Sequence, residues 1–270
     1  QKIVAASLAL FGAPSSALVG YAREYLAGQD VGAKRTIATQ KRSAEEVRPD
    51  FERVLEKYGL HDWTVTIKRG MGADCAVGNR CILIRSGALF TDQHLQAIFA
   101  HEIETHALTA ENGTIQPYEI FRRGCAHYLD TQEGLAMFNQ NRVLPAFHEK
   151  RTIAARSVLA VAFAMDHSFA ETRQYLLQEL KFSEEKAISK TMDVKRGFSA
   201  TQEAGAFTKA LVYFRGLRAI EHFVRLGGDL RKLYIGKIAL ENLPLIDQIE
   251  GMKPPLILPD YLSSRRTHRL

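Results

Sequence analysis

His101-Glu102-Ile103-Glu104-Thr105-His106 lies inside a helical run that opens at the cap Thr91-Asp92 and carries Leu95, Ile98, Phe99 and Ile103 at helical spacing. Two imidazoles bracketing a carboxylate suit a borderline-soft metal ion, and the glutamate suits a general base that takes a proton from a metal-activated water. The widespread H-E-x-x-H zinc motif spaces its histidines at i and i+4; here the interval is i to i+5. Five residues of a regular α-helix leave the second side chain about 140° around the axis from the first, so the rings diverge. A local widening such as a π-bulge would bring them together, and such bulges gather at functional sites. The motif is a metal site on a distorted helix or a coincidence, and the surrounding residues decide.

Upstream, Pro14 to Gly28 has the proline start and glycine stop of a helix. Ser43-Ala44-Glu45-Glu46 is a capping box that opens a helix reaching Tyr58-Gly59. Trp63 to Ile67 alternates as a half-buried strand does, and Cys81-Ile82-Leu83-Ile84 is a second short strand, with turn chemistry at Gly70, Gly72 and Gly78-Asn79. The motif helix is expected to end at Asn112-Gly113 in a left-handed cap. Beyond Pro117 helices dominate: 131–144, 152–165, 168–180, 183–195 and 203–225, before an irregular tail from Pro254-Pro255. The expected fold is α+β and predominantly helical: a zincin-like catalytic lobe, with a small sheet before the metal-binding helix, packed against an all-helical half. The chain reads as one catalytic domain, 1–270, with sub-lobes 1–115 and 116–270. A strand edge beside such a helix can pair with an extended substrate backbone.

With 270 residues, 46% hydrophobic and 24% charged, the composition is that of an ordinary globular protein. No run of about 18 apolar residues occurs, so no membrane span is expected. The mildly apolar opening, Gln1 to Phe11, lacks a charged leader and reads as folded protein. Cys75, Cys81 and Cys125 are too few and wrongly spaced for a disulfide framework or a C-x-x-C zinc site, which fits a reduced, cytoplasmic setting. Cys75 and Cys81 read as a pair of small packed thiols. The net charge of +6, with basic residues at Lys34, Arg35, Lys41, Arg42, Arg265 and Arg266, suits an acidic partner. No nucleic-acid motif accompanies it, and neither a G-x-S-x-G elbow nor a phosphate loop is present.

A catalytic zinc takes three protein ligands and keeps one position open. After His106 the candidates for the third are Glu111, Glu119, His127, Asp130 and Glu133. Glu133 stands out because Gly134 and Ala136 leave little bulk around it, letting its helix approach another backbone.

These residues carry a family resemblance. H-E-x-x-x-H, Thr109 with Asn112-Gly113, Gln116-Pro117 and Gln132-Glu133-Gly134-Leu135-Ala136 resemble the QEGLA-motif proteins, which include the microtubule-associated tyrosine carboxypeptidases. Gly227-Gly228-Asp229-Leu230 and Gly236-Lys237-Ile238-Ala239-Leu240 extend the likeness. It implies one Zn2+ per chain held by His101, His106 and Glu133, with Glu102 as catalytic base. It also implies removal of a C-terminal residue, tyrosine or another aromatic or acidic one, from a peptide or protein tail that is acidic and tubulin-like.

A free terminal carboxylate is well read by arginine. Arg196, Lys209, Tyr213 and Arg215 lie in a glycine-bracketed stretch and are the candidates for substrate binding. Tyr213 and His222 are candidates for the oxyanion donor, His94, Glu104 and Thr105 for support of the ligand rings, and Arg151 and Arg156 for structural ion pairs. The alternatives are a zinc endopeptidase or other amide hydrolase, and a peptide-binding or regulatory protein without turnover. An intact Glu102 argues against the last, since binding alone has no chemical use for it.

Overall fold

The computed structural model describes the backbone of residues 2–28, 40–144 and 149–263, and the side chains of all of these except 149 and 150. Lys34, Arg35, His148, Arg265, Arg266 and His268 lie outside the described residues. In chain order the elements are α1 (Lys2–Phe11), α2 (Ser16–Ala27), β1 (Arg42–Ser43), α3 (Ala44–Lys57), β2 (Thr64–Lys68), β3 (Cys75–Val77), β4 (Cys81–Arg85), β5 (Leu89–Phe90) and α4 (Asp92–Ile98). A π-helical segment (Phe99–Ala107) runs into α5 (Leu108–Thr114). Then come α6 (Ile120–Arg123), α7 (Tyr128–Val143), α8 (Glu149–Ala164), α9 (Phe169–Gln178), α10 (Glu184–Val194) and α11 (Leu211–Arg225), with short turns to Ser263. The protein is mostly helical with small sheets, the α+β class expected. No single helix among the described residues is long and apolar enough to cross a membrane.

The chain divides into two compact units, Gln1–Ala33 with His148–Arg218, and Lys34–Phe147 with Ala219–Leu270. Position 115 falls inside the second unit, so the motif helix and α7 belong to one body.

That body begins with α3, where Ser43 accepts from the Glu46 amide and the Glu46 carboxylate accepts from the Ser43 amide at 2.7 Å. Val47, Phe51 and Leu55, spaced by four, are buried along one stripe. In β2 and β4 alternate residues are buried, Val65 on one and Ile82 and Ile84 on the other. β4 is central, parallel to β2 and antiparallel to β3, which leaves β3 on an edge. Cys75 lies opposite Ile84 and Cys81 opposite Thr64, so the two thiols do not face each other as packed partners. Both are free, as is Cys125.

Two sequence expectations are corrected. Gly113 does not end its helix in a left-handed cap, because α5 continues through it to Thr114. Its missing side chain serves a close approach: a Cβ there would lie 2.5 Å from the Phe121 carbonyl oxygen and 2.7 Å from Arg122 Cα. Gly236 crowds the same carbonyl, with a Cβ at 2.7 Å. The second correction is the helix expected from Glu203, which begins only at Leu211 after a 3-10 turn. Gly205, at φ +119, is in a backbone region that a helix does not use.

The tail is fixed to the second unit by two side-chain amides. Asn112 accepts from the Leu256 and Ile257 amides at 2.9 and 3.0 Å and donates to the Ile257 carbonyl at 2.7 Å. Gln116 does the same for Lys253, accepting at 3.0 Å and donating at 2.9 Å. In the first unit the buried Lys195 ammonium donates to the carbonyls of Ala164, His167, Glu203 and Gly205, which ties three loop segments together.

Candidate metal centre

The π-helical stretch resolves the spacing problem. A backbone bonded i to i+5 sets residues five apart on one face, and the His101 and His106 rings meet edge to face with centroids 5.0 Å apart. Phe99, Ala100, Ile103, Thr105 and Ala107 are buried, which leaves His101, Glu102 and His106 on the less buried side. Thr105 supports the widened turn by donating to the Ala100 carbonyl, five residues back, at 2.8 Å. Its hydroxyl also accepts from Asn139 Nδ2 of α7 at 2.7 Å, and the same amide nitrogen bonds the Tyr234 hydroxyl at 2.7 Å. Tyr261 donates to the Asn139 oxygen at 2.5 Å. Helix α7 is thus cross-linked to the π segment by a polar network in which each member is satisfied, the condition under which buried polar groups stabilise.

Helix α7 brings Glu133. Its Oε2 lies 3.5 Å from His101 Nε2 and 3.7 Å from His106 Nε2, and the three side chains are 18%, 15% and 13% exposed for His101, His106 and Glu133. One ligand atom from each residue lies within 4.8 Å of the others. Ligands about 2.0–2.1 Å from a tetrahedral zinc sit roughly 3.3–3.5 Å apart, and the two histidine–carboxylate distances come within a few tenths of an ångström of that spacing. Two imidazole nitrogens and one carboxylate oxygen are also a donor set that zinc accepts. Of the five candidates for a third ligand, Glu133 joins the histidines. Glu111 instead accepts from Trp63 Nε1 and Arg80, and Glu119 pairs with Arg122 and Arg123.

The electrostatics are those of an ion-pair triad. Burial would raise Glu133, but hydrogen bonds to His101 and His106, and their charge, hold its carboxyl well below the usual carboxylate range. Burial would lower His106, and the Glu133 carboxylate reverses this, aided by Glu102 and Gln132. The ring is oriented from behind by Gln132, whose buried Oε1 lies 3.4 Å from His106 Nδ1 and accepts from Thr109 Oγ1 at 2.8 Å. With Nδ1 facing that oxygen, Nε2 is the nitrogen left toward Glu133. Among the described residues the buried Gln132 Nε2 has no hydrogen-bond partner. Sequence reasoning had matched Thr109 and Gln132 to a motif without assigning them this task. Glu104 and Thr105 are bonded elsewhere, Glu104 accepting from Tyr58 at 2.7 Å.

Glu102 follows the first histidine, and its charge reaches His106 and the buried Cys75 of β3. Burial first, then Glu102 and Asp74, push the Cys75 thiol up, so it is not a thiolate at neutral pH. The edge strand β3 packs against the π segment that carries Glu102.

Arg196, Lys209, Tyr213 and Arg215 belong to the first unit, whereas the triad belongs to the second. Arg196 pairs with Asp193 at 2.9 Å, Arg215 donates to the Phe11 carbonyl at 2.8 Å, and Lys209 sits in the 3-10 turn before α11. His222 is on an exposed helical face against Arg225. His94 stacks on Phe90. Arg151 and Arg156 lie over the rings of Tyr25 and Phe182.

Comparison with known proteins gives one assignment. The family model described as microtubule-associated tyrosine carboxypeptidase matches residues 1–267. A search of curated proteins finds no match.

Proposed function

The chain belongs to the microtubule-associated tyrosine carboxypeptidase family, and from that premise we propose that it is a zincin-like zinc carboxypeptidase acting on peptide or protein tails. The observation that carries this is the meeting of His101, His106 and Glu133 at coordination spacing, with Glu102 beside them. A zinc ion held by these three would polarise the scissile carbonyl and lower the pKa of its bound water to about 7.

Glu102 accepts the proton of the attacking water and delivers it to the departing amine nitrogen, so one carboxylate serves both halves of the hydrolysis. Gln132 and Thr109 keep His106 in the tautomer that presents Nε2. The substrate backbone has a docking edge on β3. The bonds Gly78 N–H to Cys81 O and Arg85 N–H to Asp74 O fix the ladder parity, so the amides and carbonyls of Cys75 and Val77 face away from β4. An extended tail pairing there would lie beside Glu102. The substrate class is a tail ending in tyrosine or another aromatic or acidic residue, tubulin-like in being acidic, which a chain of net charge +6 attracts.

The test is metal analysis joined to mass spectrometry on peptides ending in Tyr, Phe, Glu or Ala. The expected result is one zinc per chain and loss of a single terminal residue, suppressed when the peptide terminus is amidated. Glu102→Gln should retain zinc and lose turnover. Internal cleavage would reassign the protein as an endopeptidase, and absence of metal from all preparations would overturn the proposal.

A further inference from the structure

Metal ligands keep their geometry through the groups behind them, and loss of one such support commonly costs about 10–100-fold in metal affinity. We infer that Tyr261 is a positioning residue for the metal centre. Its hydroxyl fixes the Asn139 amide, through which Thr105 keeps the widened turn that sets His101 and His106 on one face. The inference rests on the zinc-dependent reading above, and its test reads metal binding rather than turnover.

The relay passes through the buried Thr105, Asn139 and Tyr234, with Tyr261 half-buried at its outer end. Thr105 has one hydroxyl proton, and it goes to the Ala100 carbonyl at 2.8 Å. The Thr105 oxygen is left to accept, and the donor that meets it is Asn139 Nδ2 at 2.7 Å. That nitrogen gives its second proton to the Tyr234 hydroxyl at 2.7 Å, so both of its protons are spent. Asn139 Oδ1 faces the other way, where Tyr261 donates to it at 2.5 Å. This last bond marks which end of the amide carries the oxygen. Without it nothing opposes an end-for-end turn of the amide, since either orientation then leaves one buried polar atom unpaired. Turned, Asn139 would present Oδ1 to Thr105, draw the hydroxyl proton away from Ala100 and release the widened turn.

Tyr261 is brought to this place by the segment 253–263. Its short helical turn, Asp260–Ser263, meets α3 through Asp260 and Lys57 at 2.5 Å, and the Arg142 guanidinium lies 3.5 Å from the centre of the Tyr261 ring. Arg142 and Asn139 are three residues apart on α7, so one helical face holds both the ring and the hydroxyl. Upstream, Gln116 and Asn112 fix residues 253–257, and Asn112 belongs to α5, the continuation of the π segment. The segment is thus fastened at one end by the helix that carries the histidines and at the other by the helix that carries Glu133. Covering apolar surface would need the Tyr261 ring alone. The hydroxyl is instead committed to a chain of hydrogen bonds that ends on the turn between His101 and His106.

The test is Tyr261→Phe, which keeps the ring under Arg142 and removes only the hydroxyl. The expected results are a zinc affinity about 10-fold lower, read by competition with a chromophoric chelator, and an altered visible spectrum of the cobalt-loaded protein. A merely structural hydroxyl would lower the urea midpoint and leave both of these unchanged. Thr105→Val should weaken zinc at least as much, while Thr105→Ser, which keeps the hydroxyl, should bind as wild type does. Adding Tyr261→Phe to Thr105→Val should cost nothing further, because the relay is already cut; a fully additive loss would overturn the inference. It is also overturned if Tyr261→Phe, or Thr105→Val should the first fail to fold, binds zinc within about twofold of wild type, and the carboxypeptidase reading then stands. If the wild type binds zinc and cleaves no tail, that reading falls and the affinity comparison still decides the role of Tyr261. If the wild type takes up no metal, both fall together.

Discussion

Gln132 orients one member of the His101, His106 and Glu133 group that could hold a metal ion. Its amide oxygen faces His106 Nδ1, and the accompanying nitrogen is left buried and unbonded. Removing the amide should free the imidazole to rotate and to exchange tautomers. Gln132→Ala is expected to weaken zinc affinity about 10–100-fold, measured by competition with a chromophoric chelator; equal affinity would show that the ring is held by packing alone. The triad also sets a pH dependence. Glu133 lies below its ordinary value of 4.5 in the folded chain, so its contribution is present above that pH and is lost on acidification through the lower folded value. His106 lies above its ordinary 6.5, so its contribution is complete below that pH and is lost as pH rises through the folded value. The metal-free protein should therefore gain most from the triad between about pH 4.5 and 6.5. Zinc requires neutral imidazole, so the zinc-loaded protein should be most stabilised above that window. Urea midpoints against pH, with and without chelator, check the crossover; parallel curves would show that metal does not replace the proton.

At the scale of elements, the π segment is where local preference yields to the site. Its sequence, FAHEIETHA, contains nothing that forbids an α-helix, and the widened turn is held by Thr105 bonded to Ala100 and Asn139. The i to i+5 interval was legible as a demand for distortion because two imidazoles that were to share an ion would have to lie on one face. The partner that stabilises the distortion was not, since Asn139 is 34 residues away from Thr105. Gly113 shows the opposite case, a residue whose local meaning misleads. Read alone after Asn112 it is a helix stop; in the fold it is the gap through which the Phe121 carbonyl passes. Gly113→Ala gains about 0.5–1 kcal/mol in helix propensity but forces backbone against backbone, an overpacking cost of about 1–3 kcal/mol. The net expectation is destabilisation, read as a lower urea midpoint at unchanged slope. A stabilised variant would show that α6 can move away freely.

Across the whole molecule, what the sequence made legible was mostly what a short segment decides for itself: the capping box at Ser43 and the alternation in β2, together with the grouping of His101 and His106 with Glu133. What escaped it was decided by chain brought from far away. Strand β3 has three residues and no periodicity to read, and exists because β4 offers it a ladder. Gln132 meets His106 only when α7 lies against the π segment. Asn112 and Gln116 look like punctuation until the tail from Lys253 to Ile257 is laid across them. The same logic predicts how metal binding spreads. The ligands come from the π segment and α7, two elements of the second unit, so an ion that bridges them suppresses every opening that separates them. At a free zinc concentration 100 times Kd, linkage supplies about 2.7 kcal/mol, which slows hydrogen exchange about 100-fold for amides exposed only by such openings. Exchange with and without zinc should thus show added protection concentrated in residues 99–114 and 128–143. Protection spread evenly over both units, or confined to the loops, would mean that the ion does not tie these two helices together.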